Sequence, residues 1–444
     1  VQARRKGIQI ALAVLVIVSA AVVLAFAGCG GGDGGPTGNE TIKIKVGRTY
    51  PLLPGYWGAP AANDSAYKWE EAVETVTEGR LDIEFYPSET LFKENLAFDA
   101  IDAGVAQIGW TIPGYQPEWV PLELVFYLPL DMDSLEMNYQ VHWYAYDKYF
   151  LPQYEERGMI AVSANGREKY IVFSPYKPIN TIEDFQGMTI MTSGKSMEQL
   201  ISKLGALSIT LPWNDCYEAL QKGTLDCSAL DITLPILFGW HEAGDPGYII
   251  KVGGIGNAMP VWVAREDLLT RLRPEDAYAL IKLTDFWFGI IQSKGNDALN
   301  HLFWDEVTKL GMELIDWPES EKEKLREMKR EVYDWWIGWM EAEYGCGEQA
   351  ALLLDDVLQW MEDYEPGTPI AFSKDSYPAE QQEELIKAGY LIDEEAWQEL
   401  VGPDGHWGMD YVYKDDWEPW YEKWWDEQNM EHPWYSAWKA RHGK

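Results

Sequence analysis

The sequence predicts an α/β protein of two lobes with a cleft between them, followed by long helices and a tryptophan-rich C-terminal extension. Three observations predict it. Strand-like and helix-like segments alternate, with glycines closing the helices. The alternation runs through once and then returns. Beyond it the apolar residues fall at helical spacing for about 70 residues. Strands that alternate with helices build parallel sheets, and ligands sit beyond the C-terminal ends of such strands.

In the first unit, Ile42 to Val46 reads as a strand. Asn63, Asp64 or Ser65 can cap a helix with Trp69, Ala72, Val73 and Val76 on one face, ended by Gly79. Leu81, Ile83 and Phe85 alternate as a strand does. Leu96, Ala97, Ala100 and Ile101 make a second helical stripe before Gly104, and Val105 to Trp110 is a short apolar strand.

The second unit repeats that order. Thr189 to Met191 is a strand. A helix carries Met197, Leu200, Ile201 and Leu204 up to Gly205. Leu207 to Leu211 is a strand, a short helix ends at Gly223, and Leu225 to Leu230 is a strand. Phe150 to Phe173 runs between the lobes, and the chain returns through Tyr248–Val252 and Val261–Ala264. From Pro274 to about Tyr344 the pattern is helical, with one stripe at Ala277, Leu280, Ile281, Thr284 and Phe288 and another at Leu325, Met328, Val332, Trp335 and Trp336. Residues 401–444 hold seven of the 23 tryptophans. Such a stripe packs on a lobe or anchors a partner, a second copy included.

The first residues look like an export signal. Arg4, Arg5 and Lys6 precede a run from Ile8 to Phe26 that is apolar except at Gln9 and Ser19. Small residues lead to Cys29, and the glycine-rich stretch after it reads as a flexible tether. An uncleaved anchor helix is the alternative, since about 20 apolar residues span a bilayer. The formal net charge of −36 argues against nucleic acid as a partner. With Cys29 set aside, Cys216, Cys227 and Cys346 form neither an even disulfide set nor a C-x-x-C metal pair.

No cofactor or metal is expected. Ser193-Gly194-Lys195-Ser196 lacks the leading glycine of a P-loop, and Gly253-Gly254-Ile255-Gly256 lacks the third glycine of a dinucleotide fingerprint. There is no H-E-x-x-H and no G-x-S-x-G, so no catalytic set is visible. Aromatic residues at or after strand ends, Trp57, Trp110, Tyr115, Trp213 and Tyr217, are candidate cleft walls, and Asp231 is a candidate polar contact.

The order of several short motifs resembles the solute-binding component of the tripartite ATP-independent periplasmic (TRAP) transporters. They are Thr77-Glu78-Gly79-Arg80, Ala100-Ile101-Asp102-Ala103-Gly104, Lys177-Pro178-Ile179 with Glu183-Asp184-Phe185-Gln186-Gly187, and Tyr217-Glu218-Ala219-Leu220-Gln221-Lys222-Gly223 with Asp226. The resemblance covers about Ile42 to Trp262. It implies a two-lobe periplasmic-binding-protein-like fold that closes on a small organic acid and hands it to membrane permease subunits. The Ala25-Phe26-Ala27-Gly28-Cys29 run is similar to a lipobox, with Phe26 where Leu is usual, which implies lipidation of Cys29. The family's usual carboxylate-binding arginine follows the Gly-Leu-Lys-Ile stretch. Here that stretch is Gly187-Met188-Thr189-Ile190, and Met191 follows. Arg167, in Asn165-Gly166-Arg167, resembles a second family arginine and is the candidate anion clamp.

The expected organisation is a lipoprotein signal at 1–28, a tether at 29–40, lobe I at 41–163 plus about 248–290, lobe II at 164–247 plus about 291–365, and an extension at 366–444. The expected function is an exported, lipid-anchored receptor, not an enzyme, for a small organic solute that is an organic acid or a more apolar ligand, with Met191 as an apolar contact in its pocket. A surface interaction or sensory protein, or a secreted enzyme, on the same scaffold are the alternatives.

Overall fold

Two separate mixed sheets organise the protein. The computed structural model describes residues 41–48, 60–167, 169–211, 213–244, 247–364, 372–373 and 391–392. Cys29, Trp57 and the tryptophan-rich residues 401–444 lie outside them.

The first sheet has the order β2-β1-β3-β10-β4. Its strands are β1 (Ile42–Gly47), β2 (Leu81–Tyr86), β3 (Ile108–Thr111), β4 (Met159–Ala164) and β10 (Val261–Arg265). β1, β2 and β3 are parallel, and β10 runs antiparallel between β3 and β4. The crossover from β1 to β2 is α1 (Pro60–Val76), whose Trp69, Ala72 and Val73 are buried as the predicted stripe requires. α2 (Ala97–Asp102) returns the chain to β3.

The second sheet has the order β11-β9-β5-β8-β6-β7. Its strands are β5 (Ile171–Ser174), β6 (Thr189–Met191), β7 (Leu207–Ile209), β8 (Cys227–Leu230), β9 (Tyr248–Lys251) and β11 (Glu313–Asp316). β6 is parallel to both β7 and β8. α4 (Lys195–Lys203) and α5 (Trp213–Gln221) are the crossovers of this unit.

The sequence placed residues 248–252 with the first lobe. β9 instead pairs with β5 and β11 in the second sheet. The reason is the chain path: only after β9 does the chain cross, and β10 enters the first sheet. β11 is a further correction to the helical reading of this region. Its four residues are mostly exposed at a sheet edge, so no apolar alternation announces them.

Two long helical runs and two further long helices pack with these sheets. α3 (Leu135–Ala145) continues through Glu156 and packs against the first unit. α6 (Pro274–Thr284), a wider turn at Asp285–Ile291 and α7 (Gln292–Lys309) form a nearly continuous run. α8 (Glu319–Tyr344) buries Leu325, Lys329, Val332, Trp336 and Met340, a 4-3-4-4 spacing that keeps one face inward. Met328 and Trp335, expected on that stripe, flank it and are only half-buried. α9 (Gly347–Asp363) folds back on α8 and also on the helices near Tyr127 and Leu135.

α8 touches both units. Glu321 accepts a hydrogen bond from the Ile182 amide at 2.9 Å, beside the second sheet. Further along, Tyr333 donates to the Pro129 carbonyl at 3.1 Å, on the loop that leaves the first unit.

Candidate functional site

The two extended segments that join the sheets run side by side. The amides of Asn165, Arg167 and Tyr170 donate to the carbonyls of Pro260, Ala258 and Gly256 at 3.0, 3.1 and 2.9 Å. Arg167 therefore sits on a hydrogen-bonded ribbon at the seam between the sheets, and it is buried.

Asn138 fixes that ribbon from α3. Its amide nitrogen donates to the Arg167 carbonyl at 2.5 Å, and its oxygen accepts from Asn257 at 3.1 Å. Gly166 makes the approach possible, because a Cβ there would collide with the Asn138 side chain.

Two tyrosines, Tyr115 and Tyr170, are electrostatic neighbours of the guanidinium. Tyr170 is buried, and its hydroxyl pKa is pushed up to about 12. Desolvation is the main cause and the Asp231 carboxylate adds to it, while a hydrogen bond with Ser193 and the charge of Arg167 oppose it. Tyr115 stands in the turn after β3, with much of its side chain exposed. Its hydroxyl end is nonetheless desolvated, which raises its pKa, and Glu94 and Tyr170 push the same way against Arg167. Tyr127 is buried and accepts from the Gly114 amide at 3.0 Å. Its ring lies 3.6 Å from where a Cβ on Gly194 would be, so it reaches from the first unit to the second. Gly194 has φ +85 at the start of α4, a conformation that favours glycine.

Of the residues singled out in the sequence, Arg167, Tyr115 and Asp231 are thus electrostatic neighbours of one tyrosine, Tyr170. The others are engaged differently. Trp110 is buried in β3 and donates to Asn165 at 3.3 Å, so it braces the ribbon. Met191 is buried, with its sulfur 2.8 Å from the Cys216 thiol, which points it into the packing between β6 and α5. Tyr217 is half-buried, and its hydroxyl accepts from Gln221 on the same helix at 3.5 Å. Trp213 is the first residue of α5. Asp231 is buried and accepts from both the amide and the hydroxyl of Thr233, starting the turn after β8.

Sequence reading missed Tyr170 and Tyr127. Tyr170 had a usable signal, since it follows Arg167 by three residues on the same connecting segment. Tyr127 had none, because its neighbours are apolar on every side.

The arrangement suits binding better than bond-breaking. A buried guanidinium, aromatic walls and a few hydroxyls can hold an organic anion. Two of the histidines are engaged elsewhere: His142 contacts Glu123 at 2.9 Å inside an aromatic cluster, and His241 contacts the Pro235 carbonyl at 3.0 Å. Among the described residues no group of three or more His, Cys, Asp or Glu could hold a metal ion.

Two α/β units joined by a paired ribbon, with a buried arginine at the seam, define the two-lobe fold of a solute-binding protein. The chain belongs to the bacterial extracellular solute-binding protein family 7, the DctP family, whose model matches residues 60–338. It is 29% identical over 242 residues to the C4-dicarboxylate-binding periplasmic protein DctP of Rhodobacter capsulatus, covering 53% of this chain and 71% of that one. Among solved structures it is similar to a marine metagenome TRAP solute-binding protein in complex with 3-hydroxybenzoate, with TM-score 0.63 and 17% identity, covering 74% of this chain and 100% of that one. It is also similar to a Rhodoferax ferrireducens TRAP solute-binding protein with copurified benzoate, with TM-score 0.61 and 20% identity, covering 73% and 98%.

Proposed function

We propose that this chain captures a small organic acid outside the cytoplasm and delivers it to a TRAP-type permease, with Arg167 holding the acid group. The observation that carries this reading is the placement of Arg167, buried at the seam, held through its backbone by Asn138 and an electrostatic neighbour of Tyr115 and Tyr170. A guanidinium fork matches a carboxylate with two parallel hydrogen bonds. Met191, where the family usually keeps an arginine, turns toward Cys216 and adds no second charge. A single fork among tyrosine rings favours a monocarboxylate with a flat, apolar body, in line with the aromatic acids of the two solved neighbours.

Cys29 is the proposed lipid attachment point, which would keep the receptor at the membrane beside its permease. Residues 366–444 are the proposed contact for a second copy or for the permease.

Native mass spectrometry of the freshly purified protein should show one small acid bound per chain. Calorimetry with that acid should then give binding that Arg167→Ala removes. A copurified ligand with no acidic group, bound equally well by the variant, would end this reading.

A further inference from the structure

Lys169 precedes Tyr170 on the extended ribbon, so its side chain points to the opposite side, away from the tyrosine cluster. There Asp131 and Asp133, Lys169, the end of β9, Trp304 of α7, Asp316 of β11 and the first turns of α8 line a half-open cavity of about 520 Å³. Five cations line it: Lys169, Lys251, Lys322, Arg326 and Lys329. Three carboxylates line it with them, in a chain that carries 36 Lys and Arg against 72 Asp and Glu.

The depth of these charges matters more than their number. In each ion pair the cation is the more buried partner. Lys329 is 4% exposed against 46% for Asp131. Lys322 is 27% against 67% for Asp316, and Lys169 is 35% against 67% for Asp133. Arg326 is 38% exposed, and its partners Glu319 and Glu323 are 75% and 52%. Lys251 places its ammonium 4.3 Å from the centre of the Trp304 ring. The cation is thus the deeper member of each pair, with Asp133, Asp316, Glu319 and Glu323 toward water, while Asp131 is held in place by Lys329 and the Gly254 amide. Exposed pairs such as Lys322–Asp316 and Lys169–Asp133 hold weakly, so an entering anion can take the place of those carboxylates, which swing into solvent, while Asp131 stays on Lys329.

We propose that this cavity binds a compact dianion, either a tetrahedral oxyanion or a short dicarboxylate, at a site separate from the Arg167 cleft. Its occupant touches Lys169 on one connecting segment, the end of β9 and α8 at once. The assignment does not depend on what the cleft binds.

Calorimetry on the full chain at fixed ionic strength tests it, with sulfate and succinate as dianions and nitrate as the monoanion. Sulfate or succinate should bind while nitrate does not. Sulfate alone would mark an oxyanion site, and both would mark a general dianion site. Succinate heat that Arg167→Gln abolishes belongs to the cleft and does not count. Lys322→Gln with Arg326→Gln, both on the outer part of α8, should weaken the dianion by about tenfold, the loss of one charge-assisted hydrogen bond. Asp316→Asn removes a competing carboxylate and should tighten it about threefold, which a misfolded variant could not imitate. The proposal is overturned by unchanged affinity in both sets of variants, by equal binding of nitrate, or by the lack of any dianion binding outside the cleft.

Discussion

Arg167 owes its position to Asn138. One buried amide side chain satisfies the Arg167 carbonyl with its nitrogen and Asn257 with its oxygen, so it ties both connecting segments to α3. Asn138→Ala should cost about 1–3 kcal/mol of stability, because it leaves a buried acceptor and a buried donor without partners. Urea unfolding measures this, and an unchanged midpoint would show that the ribbon holds itself. Arg167→Ala should leave the fold intact but lower affinity for the bound acid by about 2–5 kcal/mol, as expected when one partner of a buried charge pair is truncated. Calorimetry separates the two, since Asn138 acts on stability and Arg167 on binding. Met191 tests the same logic from the other side. Its sulfur packs on Cys216, whose thiol is pushed up to about 12 by burial and by Asp215. Met191→Leu should be tolerated at under about 1.5 kcal/mol, and Met191→Arg should destabilise by about 3 kcal/mol or more through an unpaired buried charge. A thermally stable Met191→Arg that binds acids more tightly would mean that the side chain reaches the cleft.

At the scale of elements, α8 depends on one buried base. Lys329 donates to both oxygens of Asp131 at 3.0 Å, and Asp131 also accepts from the Gly254 amide at 2.6 Å. Asp131→Ala strands the lysine and should cost about 3 kcal/mol, the lower end for a broken buried pair because the carboxylate is half exposed. Stability curves at pH 7 for the variant and for Lys329→Met with Asp131→Ala check this. The double change should recover part of the loss, and no recovery would show that Gly254, not the lysine, needs the carboxylate. The elements differ in how openly the sequence shows them. α1 and α4 were legible because each has one wet face and one dry face, so their apolar residues fall in register. α3 was not. Every residue from Leu135 to Trp143 is buried, and a helix that is dry all round has no stripe to read. β11 failed for the opposite reason, being short and mostly wet. The site was legible where chemistry is rare: an arginine after Asn-Gly stands out, whereas Tyr170 and Tyr127 gain their role only from the fold that gathers them.

For the whole molecule, buried tyrosines set a limit at high pH. Tyr127 and Tyr154 have hydroxyls raised well above the ordinary value, by desolvation first, and Tyr170 lies at about 12. The unfolded chain loses these protons near pH 10, and the folded protein holds them longer. Their contribution is thus complete below about pH 10 and is lost as pH rises toward 12. The urea midpoint should fall steadily over that range, and Tyr170→Phe should flatten the fall; a flat wild-type profile would show that water reaches these hydroxyls. The last expectation concerns motion. The units are joined by the paired segments 165–170 and 256–260 and by α8, which touches both. A ligand shifts an equilibrium between open and closed forms only by binding one of them better. An acid that bridges Arg167 at the seam to side chains of both units favours the form in which the units are close. Small-angle scattering should therefore show a smaller radius of gyration with the copurified acid than after its removal. Arg167→Ala should keep the larger radius at the same ligand concentration. A radius that does not change in the wild type, with binding confirmed by calorimetry in the same sample, would mean that the cleft binds without closing.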